Sequence, residues 1–320
     1  MASMPESIVH PSMNPPRADF VSDRLKRKRF RNVKETLIEY VLFSAALVSV
    51  LTTVGIVYVL VSESIHFFEN VPLWSFLTDT MWTPLFSEPR YGILPLLAGT
   101  LTTSAVALLV AIPLGTTIAI YLSEFASHRV RETVKPFLEL LGGIPTIVYG
   151  HFALVAVIPL LQWFIPDLPG FNMLGAGLVM GIAIIPYVSS LAEDAMRAVP
   201  MSMREGSYGI GATRFQTATR VVVPAALSGI LSAYILGISR AVGETMIVAV
   251  AAGMQPNFTA NPLEPAQTIS AYIVQVALGD LPHGSIGYQS IFAAGLSLML
   301  MTLVFNVLGY YIRRKYREAY

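Results

Sequence analysis

Four uncharged, strongly apolar runs constrain the fold of this 320-residue chain more than any other feature of its sequence. A helix needs roughly 20 apolar residues to cross about 30 Å of hydrocarbon, and each run is at least that long. A mean hydropathy of +0.61 and a charged fraction of 13% agree with a chain that lies mostly in a bilayer. The runs are residues 40–62, 91–123, 140–166 and 168–192.

Two further runs raise the predicted number of spans to six. Residues 221–253 are apolar except for Arg240 and Glu244, and a last apolar run within residues 281–312 has residues 290–311 as its predicted span. In lipid the backbone hydrogen-bonding groups must be satisfied within the chain, which favours helices for spans of this kind. The predicted fold is therefore an all-α integral membrane protein with six transmembrane helices.

Basic residues predict the orientation of these spans, because cytoplasmic loops carry an excess of lysine and arginine. With a cytoplasmic N-terminus, six spans place all but two of the 21 basic residues on the cytoplasmic side. The exceptions are Arg90, which falls outside, and Arg240, which falls within the membrane. Both termini are therefore predicted to be cytoplasmic, and a different number of spans would destroy this asymmetry.

The polar segments divide the chain into three predicted regions. Residues 1–36 are predicted to be a disordered, basic cytoplasmic segment, residues 37–312 the membrane domain and residues 313–320 a basic cytoplasmic tail. The absence of cysteine excludes disulfides and thiol catalysis.

The external segments, residues 63–90 and 254–289, are too short to hold a ligand-binding domain and are predicted to form a docking surface. In residues 268–280 apolar residues recur at helical spacing. This pattern predicts an amphipathic helix that lies at the membrane interface.

The longest cytoplasmic connection, residues 193–226, is organised like a pair of short helices. Pro200 is predicted to end the first helix, and Ser202 with Glu205 has the spacing of a capping box for the second. Pro224 is predicted at the first turn of the fifth span, where a missing N–H costs little.

The same connection resembles the cytoplasmic coupling loop of bacterial ABC-importer permeases. The pattern of that family is Glu-Ala-Ala, three residues, Gly, nine residues, then Ile-x-Leu-Pro. The chain matches this spacing throughout, with small or apolar exchanges at four positions, and the alternative is an ordinary polar loop. The matching residues are Glu205, Gly206, Ser207, Gly211, Val221, Val223 and Pro224. The resemblance implies that the loop docks a short helix into a groove on a separate ATPase subunit.

No ATP-binding motif accompanies this loop in the sequence. A phosphate-binding P-loop follows the pattern G-x-x-x-x-G-K-[ST], and none of the lysines of this chain follows a glycine. The chain is therefore predicted to be a transport subunit without its own ATPase site, and not an enzyme.

Three other strings narrow the resemblance to the C-type (PstC-type) permease subunit of the bacterial phosphate importer. They are LLAGTLTTSAVALLVAIPLGTTIAIYLSEFA, LLGGIPTIVYG and SRAVGETM, and with the coupling loop they cover residues 92–253. The A-type subunit carries a related string, and Met246 after Thr245 favours the C-type.

This resemblance implies the transport of inorganic phosphate into the cytoplasm across the bacterial inner membrane. It also implies the partners: a second, A-type permease subunit in a heterodimer, two ATP-binding subunits and a periplasmic phosphate-binding protein. No cofactor, metal or nucleic-acid partner is predicted for a subunit of this kind.

Arg240 and Glu244 lie near the middle of the predicted fifth span, where each charge is costly. An arginine keeps its charge and presents a planar fork of donors that matches phosphate or carboxylate, so Arg240 is a candidate anion contact. The predicted substrate pathway consists of Arg240, Glu244, Thr245 and Ser239, with Glu244 holding or releasing the anion. The alternative is a mutual ion pair, because residues four apart share a helix face. The side chains alone indicate an anion and leave sulfate, molybdate, phosphonate and acidic amino acids open beside phosphate.

A rival function is an ion-driven secondary transporter in which Glu244 carries protons. Such a carrier has no use for an ATPase-docking loop.

Gly142, Gly143 and Pro145 are added to the predicted pathway, because helix breaks of this kind line transport routes. His151 has no second metal ligand at helical spacing, so it is predicted to be a hydrogen-bonded core residue and no metal site is predicted.

Overall fold

Long apolar helices dominate the computed structural model, which describes the backbone of residues 18–315 and the side chains of residues 34–315. Within that part, five helical stretches are long and apolar enough to cross a membrane, and they become six when one bent pair counts as a single span. The predicted all-α membrane fold is confirmed. The five stretches are Lys34–Asn70, Leu94–Phe125, Thr146–Phe164, Met173–Arg197 and Ile286–Lys315.

Connections of different lengths separate the helices, and four of the described helices are followed by wider turns. In chain order they are α1 (Ala18–Asn70), α2 (Leu73–Thr78), α3 (Leu94–Ile120), α4 (His128–Gly143), α5 (Thr146–Phe152), α6 (Ile158–Phe164), α7 (Met173–Arg197), α8 (Met201–Gly209), α9 (Arg214–Thr217), α10 (Val223–Ala225), α11 (Leu227–Gly243), α12 (Met246–Ala251), α13 (Ile269–Gln275) and α14 (Ile286–Lys315). Wider π-helical turns follow α3, α5, α9 and α13, at Tyr121–Phe125, Ala153–Val157, Ala218–Val222 and Val276–Asp280.

The predicted third span, residues 140–166, is not one continuous helix. α4 ends and the chain is extended at Ile144 and Pro145 before α5 begins. A residue that precedes a proline is disfavoured in the helical conformation, which accounts for the break at Ile144. The apolar helix that is long enough to span therefore starts only at Thr146.

The predicted fifth span, residues 221–253, is broken twice. Residues Arg214–Ala225 and α11 meet at a bend of 72° at Ala226, and α11 ends where Glu244 takes extended backbone angles (φ −64°, ψ 133°). α12 then starts a new, short helix. The charged residues of this segment consequently lie at a helix end, and not in the middle of a continuous span.

Small residues allow α3 and α7 to pack closely in the centre of the membrane domain. A Cβ atom added at Gly177 would lie 2.7 Å from the Cβ of Val106, and one at Gly181 would lie 2.7 Å from the carbonyl oxygen of Ala107. Neither glycine has room for a side chain. The buried core around this contact also includes residues of α5, of the π-helical turn after it, and of α11 and α12, among them Tyr149, Ala153, Ala241, Ile247 and Val248.

A second core of aromatic side chains lies under the predicted external segments. Trp82 is buried between Tyr91 and Tyr272, and its ring centroid is 4.9 Å from that of Tyr272. The first four residues of α13, Ile269 to Tyr272, are all buried, and the Tyr272 hydroxyl shares a 2.6 Å hydrogen bond with Ser290. The helix predicted within residues 268–280 exists, and its apolar residues Ile269, Tyr272 and Val276 pack in this core. Its position at a membrane interface stays a prediction.

The contacts within the chain divide it into residues 1–59 and residues 60–320. The described part of the first unit is the N-terminal portion of α1. That helix begins at Ala18, so residues 18–36 of the segment predicted to be disordered are helical. Residues 1–17 and 316–320, with the rest of the predicted head and most of the predicted tail, lie outside the described residues.

Candidate permeation and coupling sites

Arg240 lies in the last turn of α11 and is half-buried. Its guanidinium carbon is 3.9 Å from the centre of the Tyr187 ring on α7, within the range of a cation–π contact. The Tyr187 hydroxyl donates a 2.7 Å hydrogen bond to the carbonyl of Gly142 at the end of α4. The structure thus connects Arg240, through Tyr187, to Gly142, one of the residues that the sequence adds to the pathway.

The alternative prediction, an ion pair between Arg240 and Glu244, is not found in the described part of the chain. The prediction assumed that one helix carries both residues, whereas the chain leaves the helix at Glu244. Arg240 makes neither an ion pair nor a hydrogen bond with any described residue. Its N–H donors are therefore not used by the described part of the chain.

Glu244 is held by the backbone around the helix break. Its Oε1 accepts hydrogen bonds from the N–H groups of Met246 and Ile247, at 3.2 and 3.4 Å, and so caps the start of α12. Its main-chain carbonyl accepts a 2.6 Å hydrogen bond from the hydroxyl of Ser270. These contacts give the carboxylate a structural role at the break that does not involve Arg240.

Ser239 and Thr245 make only local or helix-packing contacts. The Ser239 hydroxyl donates a 3.1 Å hydrogen bond to Oδ1 of Asn306 on α14, and the Thr245 hydroxyl donates to the carbonyl of Gly243 at 3.2 Å. Successive residues of a helix point about 100° apart, so Ser239 and Arg240 contact different neighbours. The side chains of the four predicted pathway residues form no hydrogen bond or ion pair with one another.

The two helix breaks lie on helices that touch each other. A Cβ atom added at Gly150 of α5 would lie 3.0 Å from the Cβ of Val250 and 3.2 Å from the carbonyl oxygen of Met246, both on α12. Interrupted helices of this kind are tolerated at membrane depth where they are buried in protein or line a cavity. His151, next to this contact, is exposed on α5, so its predicted place in the core is wrong.

The second candidate site is the helix α8, which carries most of the predicted coupling residues. The helix begins directly after Pro200, and no side chain caps its start, so the capping box predicted for Ser202 and Glu205 is wrong. The capping box belongs instead to α9, where Thr213 and Gln216 each bind the backbone N–H of the other, at 3.3 and 2.9 Å. Pro200 can start α8 because its ring presets a compatible φ angle.

The coupling residues lie on two faces of α8. Glu205 and Gly206 are exposed, and a Cβ atom added at Gly206 would meet nothing within 4 Å. Ser207 is buried, and its hydroxyl shares a 2.9 Å hydrogen bond with Thr217. Gly211 adopts a φ angle of +86°, a left-handed conformation that glycine reaches without strain. The structure therefore exposes one face of α8 and holds the other against the rest of the loop.

Arg204 attaches α8 to two membrane helices. Its guanidinium is paired with both oxygens of Glu124, at 2.9 and 3.3 Å, in the π-helical turn that ends α3. It also donates to the carbonyls of Met196 and Val199 at the end of α7, at 2.8 and 2.6 Å. Both side chains of the pair are almost completely buried. Motion of α8 is consequently tied to the ends of α3 and α7.

Pro224 does not lie at the first turn of the fifth span as predicted. It lies within the helical stretch Arg214–Ala225, before the bend at Ala226. Because proline has no N–H to donate, the ladder just before it is wider, and the N–H of Val223 reaches back five residues to the carbonyl of Ala218. Pro224 thus lies between a π-helical turn and a sharp bend.

A cluster of charges links α4 to the end of α7. Nζ of Lys135 lies 2.7 Å from both Glu193 and Asp194, and the Glu193 side chain is almost fully buried. Burial by itself lowers the pKa of Lys135, but its hydrogen bonds to Asp194 and Glu193 outweigh this and raise the pKa above the ordinary 10.5. Lys135 therefore stays charged at neutral pH and neutralises a buried carboxylate.

Sequence reasoning missed four residues of these sites: Glu124, Lys135, Tyr187 and Arg204. One signal was present, since Glu124 is an acid directly after an uncharged run, on the side where the basic residues collect. An acid in that position indicates a pairing with a nearby base. No sequence signal marks Tyr187, because its role depends on the packing of α7 against α11.

The chain is similar to curated bacterial permeases over most of its length. It is 33% identical to a probable ABC transporter permease protein, YqgH, of Bacillus subtilis over 92% of this chain and 97% of that protein. It is 35% identical to the phosphate transport system permease protein PstC of Mesorhizobium japonicum, over 75% of this chain and 78% of the relative. The chain is 30% identical to the phosphate transport system permease protein PstC of Haemophilus influenzae, over 83% of this chain and 90% of that protein.

Solved transporter structures share the fold. A bacterial alginate ABC transporter gives a TM-score of 0.61 at 20% identity, over 88% of this chain and 96% of that one. The MetNI methionine ABC transporter gives a TM-score of 0.53 at 18% identity, over 71% of this chain and 95% of that one. Residues 111–318 match the family described as the inner membrane component of binding-protein-dependent transport systems. The chain, an all-α membrane protein with two interrupted helices and a short helix presented between its spans, belongs to this family of permease subunits.

Proposed function

We propose that the chain is the membrane-spanning permease subunit of an ATP-driven importer that moves inorganic phosphate into the cytoplasm. The PstC relatives, named as phosphate transport permeases, support the choice of phosphate. In this proposal six spans lie in the bacterial inner membrane with both termini cytoplasmic. The partners are an A-type permease subunit, two ATP-binding subunits and a periplasmic phosphate-binding protein.

The observation that carries this proposal is the state of Arg240. Its guanidinium is stacked on Tyr187 and has no carboxylate partner among the described residues, so its donors are oriented but not used. Phosphate matches this planar fork of donors. The Arg240 side chain contacts the passing anion, while Glu244, Thr245 and Ser239 shape the helix break beside it.

The exposed face of α8 is the proposed contact with an ATP-binding subunit. Glu205 and Gly206 are accessible, whereas Arg204 and Ser207 hold the helix from behind. Force applied to α8 would reach α3 and α7 through the Arg204–Glu124 pair. The separate ATP-binding subunits supply the energy, and the external segments 63–90 and 254–289 receive the binding protein.

Transport by the reconstituted complex tests the substrate. The chain is assembled in proteoliposomes with the subunits encoded beside it, and uptake of labelled phosphate is measured against an excess of sulfate, molybdate or arsenate. Strong competition by arsenate alone supports a phosphate importer. Stronger competition by sulfate or molybdate than by unlabelled phosphate would assign the chain to another oxyanion.

Charge reversal on α8 tests the docking surface. Glu205→Lys should abolish the stimulation of ATP hydrolysis by substrate and leave membrane insertion intact. Glu139→Lys, an equal charge change at an exposed site on α4, is the matched control. Equal ATP-driven transport in both variants would remove α8 from the docking surface.

An ion-driven carrier with Glu244 as its proton-carrying group is the second candidate. The capping bonds of the Glu244 carboxylate to Met246 and Ile247 argue against it, because protonation would weaken them. Vesicles that contain the permease subunits without any ATP-binding subunit decide the question. Uptake driven by a proton or sodium gradient in these vesicles would establish the carrier.

A further inference from the structure

A polar cavity of about 430 Å³ lies between α11 and the end of α14, away from the Arg240 site. Its size falls in the range of about 300–1,000 Å³ that small-molecule sites occupy. Two guanidinium groups and three hydroxyl groups line it, and no lining residue is acidic. The lining residues are Ser228, Gly229, Ser232, Tyr310, Arg313 and Arg314.

The cavity exists because the two helices touch above it and then separate. Ser239 and Asn306 are hydrogen-bonded at 3.1 Å, and one turn further a Cβ atom added at Gly309 would lie 2.5 Å from Cγ1 of Ile235. Beyond this contact the facing residues are serines on α11 and arginines on α14. On its other side α11 is held against α7, since a Cβ atom at Gly229 would overlap that of Ala195.

The positive charge of the cavity is not neutralised by the described part of the protein. Arg314 makes no ion pair or hydrogen bond with any described residue, and Arg313 contacts only the Tyr310 ring, 5.8 Å from its centre. Ser228 and Gly229 belong to the first turn of α11, a 17-residue helix whose N-terminal end carries a partial positive charge. Both arginines and the helix end favour a negative ligand.

The last turn of α14 places the cavity near the membrane interface that the sequence predicts on the cytoplasmic side. Arg313 and Arg314 are in the last turn of α14, whose 30 residues measure about 45 Å, more than the hydrocarbon thickness of about 30 Å. Phosphate groups of phospholipids lie at this depth, and basic pockets between membrane helices bind anionic head groups.

We propose that this cavity is a binding site for a phosphate group, which Arg313 and Arg314 bind by their guanidinium forks and Ser228 and Ser232 by their hydroxyls. The group comes either from an anionic phospholipid of the surrounding leaflet or from free inorganic phosphate. Both sources present the same tetrahedral oxygens to the arginines. The site is separate from Arg240, and it does not depend on which anion the importer carries.

Two substitutions of equal size test the site without removing its arginines. Ser232→Glu places a carboxylate in the cavity, where it competes with phosphate for Arg313 and Arg314, whereas Ser232→Gln adds the same volume without charge. A second pair of variants removes charge: Arg313→Gln with Arg314→Gln, against Arg129→Gln with Arg220→Gln, two exposed arginines outside the cavity. Thermal unfolding of each variant verifies the fold.

Binding is measured on the assembled, detergent-solubilised complex with two probes. Native mass spectrometry counts bound dioleoylphosphatidylglycerol against dioleoylphosphatidylcholine, and equilibrium dialysis measures labelled inorganic phosphate. The affinity of the phosphate-bearing probe should fall about tenfold or more in Ser232→Glu and in the Arg313/Arg314 variant, while Ser232→Gln and the Arg129/Arg220 variant bind nearly as the native protein does.

The two probes distinguish the sources. Loss of phosphatidylglycerol alone supports a lipid site, and loss of inorganic phosphate alone supports a site for the free ion. Equal binding of both probes to Ser232→Glu and Ser232→Gln overturns the proposal, provided that the Arg313/Arg314 variant also binds normally. Phosphate binding that is lost only in Arg240→Lys overturns it as well, because the ligand then belongs to the pathway.

Discussion

Arg240 is stacked on Tyr187 at 3.9 Å, and this contact between α11 and α7 takes the place of the ion pair with Glu244 that the sequence left open as an alternative. A guanidinium stacked on an aromatic ring has all of its N–H groups free to donate hydrogen bonds, whereas a guanidinium in a bidentate ion pair uses two of them. The arrangement therefore fixes the direction of the guanidinium without using its hydrogen-bonding capacity. It is the arrangement expected of a side chain that has to bind and release an anion.

Arg240→Lys should reduce phosphate uptake by about tenfold or more, because an ammonium is a point charge without the planar fork. Assembly with the partner subunits should be unchanged. Arg129→Lys, on α4, is the control, since it changes the same chemical group at an exposed position outside the proposed sites. Uptake rates in proteoliposomes at several phosphate concentrations measure the effect. Equal rates for both variants would contradict a role of Arg240 in the pathway.

Tyr187 should act through its ring more than through its hydroxyl. Tyr187→Phe keeps the ring beneath Arg240 and loses one hydrogen bond to Gly142, which contributes about 1 kcal/mol. Tyr187→Leu loses the cation–π contact as well. We expect Tyr187→Leu to raise the phosphate concentration needed for half-maximal uptake well above that of Tyr187→Phe. The opposite order would show that the hydrogen bond to Gly142 dominates.

Breaking the buried pair of Arg204 and Glu124 should destabilise the protein strongly. Arg204→Met leaves a buried carboxylate without its partner and should cost about 3–5 kcal/mol. The double variant Arg204→Met with Glu124→Leu removes both charges and should recover part of that loss, but the carbonyls of Met196 and Val199 still lack their donor. Thermal unfolding of the purified complex measures the stability.

The same variants separate stability from coupling. If Arg204 positions α8 for the ATP-binding subunit, the complex that contains the double variant should still hydrolyse ATP. Substrate should no longer stimulate that hydrolysis. Full stimulation in a double variant of restored stability would show that the pair serves the fold alone.

Periodicity and hydropathy predicted the number and type of the spans, because these properties average over about 20 residues. The breaks at Ala226 and Glu244 were missed because they depend on one or two residues each. Pro145 carried a local signal for the first break, since it restricts Ile144. Glu244 carried none, because one of the contacts at this break is a hydrogen bond from Ser270, a residue distant in the sequence, to the Glu244 carbonyl.

The candidate sites were predictable to a similar degree. The spacing of the coupling loop located the exposed residues Glu205 and Gly206. Hydropathy cannot reveal that the adjacent residue, Arg204, is buried. Arg204 is buried only because Glu124 and two carbonyl groups, distant in sequence, converge on it. Tertiary contacts of this kind have no periodic signature.

Gly211 should tolerate asparagine better than alanine. Its φ angle of +86° costs an ordinary side chain about 1–2 kcal/mol, while asparagine adopts this region more readily. The surroundings are open, since a Cβ atom there would meet nothing within 4 Å, so strain and not crowding decides the result. Gly211→Ala should therefore unfold at a lower temperature than Gly211→Asn. Equal unfolding temperatures would contradict a requirement for the left-handed conformation.

The predicted orientation of the spans can be tested by single-cysteine labelling, because the chain has no cysteine of its own. Cysteines at Asp79, Asp167 and Pro265 should react with a membrane-impermeant maleimide from outside intact cells or spheroplasts. A cysteine at Glu139 should react only after the membrane is permeabilised. External labelling at Glu139, or none at Pro265, would contradict the six-span orientation.

Lys135 predicts a dependence of stability on alkaline pH. A lysine whose pKa is raised in the folded protein stabilises it fully below the ordinary value of 10.5 and loses this contribution as the pH rises through the raised value. Lys135→Met removes charged hydrogen bonds to Glu193 and Asp194 and should cost about 2 kcal/mol near neutral pH. The difference in unfolding temperature between the native protein and Lys135→Met should be constant from about pH 6 to 9 and should shrink above about pH 10.5.

The control is Arg129→Met, which removes an exposed basic residue of the same helix and should show no such trend. A difference that grows with pH would mean that Lys135 is held neutral by burial, and that Glu193 relies on Arg131 and Arg197 for its compensation.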